Sequence, residues 1–89
     1  MKKAEVSVVI PALNEEKYIE PSLQSVSRQK FPGTYEIIVA DGNSDDRTVE
    51  IARKYTSNII IEPTRTIAAG RQTGTRIALG DIIAYTGAD

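Results

Sequence analysis

The residues that could do chemistry in this sequence sit at the ends of apolar runs. Ile82-Ile83-Ala84-Tyr85 leads into Thr86-Gly87-Ala88-Asp89. A strand that delivers a carboxylate at its carboxyl end is a common way to place a metal ligand. Glu36-Ile37-Ile38-Val39-Ala40 leads into Asp41-Gly42-Asn43-Ser44-Asp45-Asp46. Residues 6–10 lead into Pro11-Ala12-Leu13-Asn14-Glu15, and residues 58–61 into Glu62-Pro63-Thr64-Arg65. There is no cysteine and no histidine. That removes thiol nucleophiles, imidazole bases, disulfides and the usual zinc sites, so any metal is a hard cation on oxygen ligands. The stretch "DGNSDDRT" has one glycine, and neither GxxxxGK nor GxGxxG occurs. A bound phosphate would need a bridging cation or an arginine, and Asp89, Arg65 and Arg71 offer both. For any one of these loops, turn formation explains the polarity about as well, since turns favour Asn, Asp, Gly and Ser.

The elements that must position these residues are legible from the apolar pattern. The runs at residues 6–10, 36–40, 58–61 and 82–85 are continuous rather than alternating. That suggests strands buried on both faces, as in parallel sheets. Pro11 is expected to stop the first. Ile19, Leu23 and Val26 recur at helical spacing, with Asn14 as N-cap and Glu15 and Glu16 in the first turn. Pro21 within that segment predicts a kink or a late start. Val49, Ile51, Ala52 and Tyr55 mark a second helix, capped by Ser44 or Asp45, with Asp46 in its first turn. Ala68, Thr75, Ala78 and Leu79 mark a third segment, whose Gly70 and Gly74 argue against regular helix. The order β-α-β-α-β-α-β predicts a parallel sheet with right-handed crossovers and helices on both faces. All four strand ends then share one edge, where ligands bind in open α/β sheets.

Bulk properties bound the rest. With 89 residues the chain is one small domain with a thin core. It is 40% hydrophobic and 26% charged, as globular proteins are. A net charge of −1 gives no electrostatic case for nucleic acid or an anionic membrane. The opening apolar stretch is too short and broken for a signal peptide or a membrane span, so the expected compartment is the cytoplasm.

Three stretches in order, "VSVVIPALNEEKYIEPSLQSVSRQ", "EIIVADGNSDDRTVEIA" and "GRQTGTRIALGDIIAYTGAD", resemble the opening half of family 2 glycosyltransferases. These are inverting enzymes of the GT-A fold. The resemblance runs from about Val6 to Asp89. It implies a three-layer α-β-α unit, a Rossmann-like half of a GT-A fold, with a mostly parallel sheet in the order 3-2-1-4. It implies that Pro11, Ala12, Leu13, Asn14 and Glu15 wrap the nucleoside, that Asp41 bonds the base, and that Arg71 reaches the diphosphate. Ser44 and Asp46 fit an "S-x-D" pattern read as helix capping, and Asp81 reads as structural. Asp89 fits the last residue of the DxD signature, which coordinates Mg²⁺ or Mn²⁺ beneath the donor's phosphates.

Three departures qualify the match. Leu13 stands where many members have Tyr, Gln72 replaces the usual Asn, and Gly87 replaces the first Asp of DxD. A single carboxylate should hold metal weakly and only with nucleotide present. The resemblance implies transfer of a sugar from a nucleotide-diphospho-sugar to an acceptor with inversion. Residues 1–89 are expected to be the donor-binding half, truncated, inactive alone and self-associating through apolar surface at the fourth strand. No residue here fits the family's general base. The alternative is a non-catalytic nucleotide-binding module that completes its site with a partner chain.

Overall fold

A computed structural model describes residues 5–29 and 33–87. Along the chain run β1 (Val6–Ala12), α1 (Ile19–Arg28), β2 (Tyr35–Asp41), α2 (Thr48–Ala52), β3 (Ile59–Ile61), α3 (Ile67–Ile77) and β4 (Ile82–Tyr85). The strands form one sheet in the order β3-β2-β1-β4. All three pairings are parallel, with Val8 opposite both Ile37 and Ala84. The expected order 3-2-1-4 is the observed one.

Both faces of the sheet are covered, which is why residues 8–12 of β1 and 37–40 of β2 are apolar at successive positions. On one face Val6, Val8, Ile10 and Ala12 of β1 and Ile37 and Val39 of β2 join Ile19, Leu23 and Val26 of α1 and Ala52 of α2 in a single buried cluster. On the other face α3 lies on β1 and β2 through Gly70 and Gly74. A Cβ on Gly70 would stand 3.0 Å from the Pro11 Cβ, and one on Gly74 would collide with Val9. The two glycines, four residues apart on one helical face, are therefore the contact that lets α3 approach the sheet. The expectation that they argue against regular helix is corrected: α3 is helical through both.

Two other expectations change. β1 does not stop at Pro11 but continues to Ala12. Val6 donates to Thr34 O on the β2 side, and Val9 O accepts from Thr86 on the β4 side. Odd-numbered residues of β1 therefore face β4. The N–H that Pro11 lacks falls where pairing with β4 has already ended, at Val9 opposite Tyr85. Asn14 does not cap α1. The helix starts five residues later with Tyr18 as N-cap, and Pro21 is its third residue, where no intrahelical N–H is needed.

At the amino edge of the sheet a second polar cluster holds the turn into β4. The Glu36 carboxylate accepts from Ser7 Oγ at 2.5 Å, the Leu79 N–H at 2.7 Å and the Asn58 amide at 3.3 Å. Ser7 Oγ in turn accepts from the Gly80 N–H at 2.8 Å. The edge away from the polar loops is thus locked by long-range hydrogen bonds.

Candidate functional site

The carboxyl edge gathers the loops after β1, β2 and β3 into one cradle. Asp41 closes β2, fully buried, and its carboxylate accepts from the Ser44 N–H at 2.7 Å and the Ser44 hydroxyl at 2.6 Å. Ser44 Oγ also accepts from the Asn14 N–H at 2.9 Å, and the Asn14 side-chain oxygen accepts from the Asp45 N–H at 2.7 Å. Glu15 N–H donates to Thr48 Oγ1 at 2.8 Å, and Glu16 N–H to Asp46 Oδ2 at 3.2 Å. The loops after β1 and β2 are therefore zipped along their length. Asn14 and Asn43 take left-handed backbone angles, φ 52° and 65°, the geometry that asparagine tolerates best after glycine.

The loop after β3 clasps the other two. Arg65, itself left-handed at φ 61°, donates to Asn43 O at 2.8 Å and pairs with Asp45 at 3.3 Å. Glu62 accepts from the Thr64 N–H at 3.0 Å and the Thr73 hydroxyl at 2.7 Å, tying β3 to α3. Those bonds, the Thr64 N–H first, hold its carboxyl below the usual range.

Neither Ser44 nor Asp45 caps α2: its N-cap is Arg47, and Asp46 lies just before the helix rather than in its first turn. Its carboxylate accepts from the Thr48 N–H at 2.9 Å and from the Thr48 hydroxyl. Burial alone would raise the Asp46 pKa, but the bonds from Thr48 and Glu16 together outweigh it and hold the group below its ordinary 3.8. A lowered folded value stabilises the fold above the unfolded value and is lost as pH falls through the folded one. The stability gap between the wild-type chain and Asp46→Asn is therefore expected to be full above pH 3.8 and to shrink on further acidification. Urea unfolding at stepped pH measures it, and a gap unchanged between about pH 6 and about pH 2 would remove Asp46 from the acid response.

Between these loops and α3 lies a cleft of about 500 Å³ lined by Pro11, Leu13, Glu15, Arg65, Ile67, Arg71 and Gly87. That is within the size range of small-molecule sites. A smaller apolar recess adjoins it, bounded by Ala12, Ala40, Gly42 and Gly70. Of the residues singled out from sequence, Pro11, Leu13, Glu15 and Arg71 thus meet at one cleft, and Ala12 borders the recess beside it. Asn14 and Asp41 line neither: the first braces Asp45 and the second lies beneath the loop, bonded to Ser44. Arg65 and Arg71 line the cleft with Glu15, but Arg65 is paired with Asp45, so Arg71 is the cation the cleft offers to an anion. Its floor reaches the start of α3, where the helix dipole adds positive potential.

Among the described residues no group of three or more acidic side chains converges as a metal site. The described carboxylates alone do not fit a divalent cation. Asp89, the expected ligand, lies outside the described residues. Sequence reasoning missed Ser44 as the hub of two loops and Arg65 as a clasp rather than a phosphate group. The only available signal was the density of short polar residues in "DGNSDDRT".

The family model for glycosyl transferase family 2 matches residues 7–89. The glycosyltransferase AglE of Haloferax volcanii is 37% identical over 91 residues, covering 94% of this chain and 30% of that protein. A crystal structure of Staphylococcus aureus TarS superposes with a TM-score of 0.86 at 29% identity, covering 96% of this chain and 16% of that one. The TarS form in complex with UDP gives 0.78 at 32%, covering 96% and 27%. Glucosyl-3-phosphoglycerate synthase from Mycobacterium tuberculosis, in complex with Mn²⁺, UDP and glucosyl-3-phosphoglycerate, gives 0.73 at 31%, covering 97% and 34%. The chain spans between 16% and 36% of the length of the curated relatives it matches.

Proposed function

The chain belongs to glycosyl transferase family 2, and on that premise we propose that its carboxyl-edge cleft binds the nucleotide-diphospho-sugar donor of a sugar transfer that inverts the anomeric centre. The observation that carries this is the placement of Arg71 opposite the loop of Pro11, Leu13 and Glu15 across one cleft. A guanidinium presents five N–H donors in a plane, the geometry that two phosphates can share. The loop after β1 offers backbone and apolar contact to a nucleoside. UDP in the TarS and glucosyl-3-phosphoglycerate synthase structures supports uridine as the base.

In this reading residues 1–89 form a single donor-binding unit. The Arg71 guanidinium and the start of α3 stabilise negative charge as the diphosphate leaves. Asp89 would be the residue to hold a divalent cation, Mg²⁺ or Mn²⁺, and such a cation would supply positive charge for the donor's diphosphate. The base that deprotonates the acceptor hydroxyl is not assigned to any of these residues, so transfer by this chain alone is not expected. No helix among the described residues is long and apolar enough to cross a membrane. We place the unit in the cytoplasm, where donor nucleotides are made, and expect the apolar edge at β4 (Ile82 and Tyr85 exposed) to favour self-association in isolation.

Calorimetric titration tests the assignment. UDP is expected to bind the chain, GDP less well, and Mn²⁺ only when UDP is present, because phosphate oxygens must supply the ligands that the protein lacks. Absence of heat with both nucleotides would overturn donor binding. Tight Mn²⁺ binding without nucleotide would overturn the shared-ligand account of Asp89.

A further inference from the structure

We propose that Tyr85 is a positioning residue for Arg71, holding the guanidinium at the cleft through its ring while a hydroxyl relay fixes the ring to α3. The proposal rests on the donor-binding reading above. The Arg71 guanidinium carbon lies over the Tyr85 ring, 5.9 Å from its centroid, within the distance at which a cation is attracted to an aromatic face. The ion pairs among the described residues are Arg47–Glu50 and Arg65–Asp45, and Arg71 belongs to neither. Its observed constraint is therefore aromatic. A contact to the ring face uses the charge of the guanidinium and leaves its in-plane N–H groups for oxygen acceptors.

The ring is itself held. Thr75, one turn beyond Arg71 on the same face of α3, places its hydroxyl 2.7 Å from the Arg71 carbonyl and 2.6 Å from the Tyr85 hydroxyl. A threonine hydroxyl has one proton, and the Arg71 carbonyl can only accept. The Thr75 proton is thus committed to Arg71 O, and Tyr85 must be the donor to Thr75. The relay runs from Tyr85 through Thr75 to the backbone of Arg71, the residue whose side chain the same ring supports. β4 sits at the edge of the sheet, joined to β1 alone. The relay couples that edge strand to the helix carrying the arginine. Gly70 and Gly74 bring this helix close enough for the relay to close. A long side chain that would otherwise sample many rotamers is so presented to the cleft in one arrangement, which lowers the entropy lost when an anion binds.

Three variants separate ring, relay and fold. Tyr85→Leu removes both ring and hydroxyl, Tyr85→Phe keeps the ring, and Thr75→Val breaks the relay. The ¹⁵N–¹H signal of Arg71 Nε, assigned with Arg71→Lys, reports ring-current shielding without any ligand. It is expected to move in Tyr85→Leu and to hold most of its position in Tyr85→Phe. For UDP, Tyr85→Leu is expected to weaken binding about 2- to 5-fold, the worth of an exposed cation–π contact, with uridine affinity unchanged because uridine carries no phosphate. Tyr85→Phe and Thr75→Val should fall between Tyr85→Leu and wild type. An Arg71 Nε signal identical in wild type and Tyr85→Phe and Tyr85→Leu overturns the proposal. So does equal weakening of UDP and uridine, which would mark a general loss of structure. A wild-type chain that binds no UDP overturns donor binding instead, while the Nε shift still decides the Tyr85–Arg71 contact.

Discussion

Leu23→Ala is expected to lower the unfolding free energy by about 2–5 kcal/mol, against a total of roughly 5–15 kcal/mol for a domain. Leu23 is fully buried and is the middle of the three residues by which α1 grips the sheet, between Ile19 and Val26. Truncation removes its apolar contacts and leaves a cavity that the rigid sheet beneath cannot fill by moving. The effect is proportionally large because a chain of this size buries only about two-thirds of its unfolded surface, so each core residue carries more of the total. Exposed Ser25, on the same helix, provides the control: Ser25→Ala should stay within about 0.5 kcal/mol of wild type. Urea unfolding followed by circular dichroism measures both. A loss below about 1 kcal/mol at Leu23 would mean that α1 is not docked as described.

That prediction concerns a part of the fold that the sequence reveals well. The runs that become β1 and β2 are largely apolar at successive positions because helices cover both faces, and their shortness and β-branched content distinguish them from a buried helix. Ile19, Leu23 and Val26 are read as a helical stripe and are the buried face of α1. The third helix is different. Although the Thr75 hydroxyl ties it to Tyr85 of β4, its read-off positions, Ala68, Thr75, Ala78 and Leu79, are not what seats it closely on β1 and β2. Gly70 and Gly74 do that, by being absent as side chains, and a hydrophobicity pattern registers absence as weakness. The start of α1 fails for a related reason. Asn14 and the following glutamates make a good local cap, but Asn14 is instead drawn into a bond with Asp45, 31 residues on. Tertiary pairing overrides local capping there.

The site was legible in position more than in role. Parallel topology puts every strand end on one edge, so Pro11, Leu13, Glu15 and Arg71 converge at the cleft once the order of elements is known. Roles depend on which partner each polar group finds, and those partners lie far away in sequence. Arg65 and Arg71 look equivalent as cations. The fold turns one onto Asn43 and Asp45 and lays the other on Tyr85. Glu36 reads as the first residue of a strand and becomes the anchor for the turn before β4, 43 residues on.

The second large effect belongs to Asp41. Asp41→Ala is expected to weaken UDP binding by about 1.5–3 kcal/mol, the usual worth of a hydrogen bond to a charged group, or roughly 10- to 150-fold. The carboxylate has two oxygens and about four lone-pair sites, of which the Ser44 N–H and hydroxyl occupy two. About two acceptor sites remain, and a nucleobase donor reaches them only if the loop after β2 shifts, because Asp41 is fully buried and lines neither the cleft nor the recess. Its full burial puts such a bond in a low-dielectric setting, where it is strongest. The same bonds also brace the loop, so loss of the carboxylate could act on binding through Ser44 alone. Ser44→Ala separates the two routes. It removes the hydroxyl bond to Asp41 and the acceptor for Asn14, but keeps the carboxylate. If Asp41 contacts the base, Asp41→Ala weakens UDP well beyond Ser44→Ala, and Asp41→Asn, which can present the wrong hydrogen-bonding group to a base N–H, changes the ratio of UDP to GDP affinity. Equal losses in Asp41→Ala and Ser44→Ala, with the UDP to GDP ratio unchanged in all three variants, would leave Asp41 as the brace of its own loop and move base recognition to the backbone of Pro11, Ala12 and Leu13.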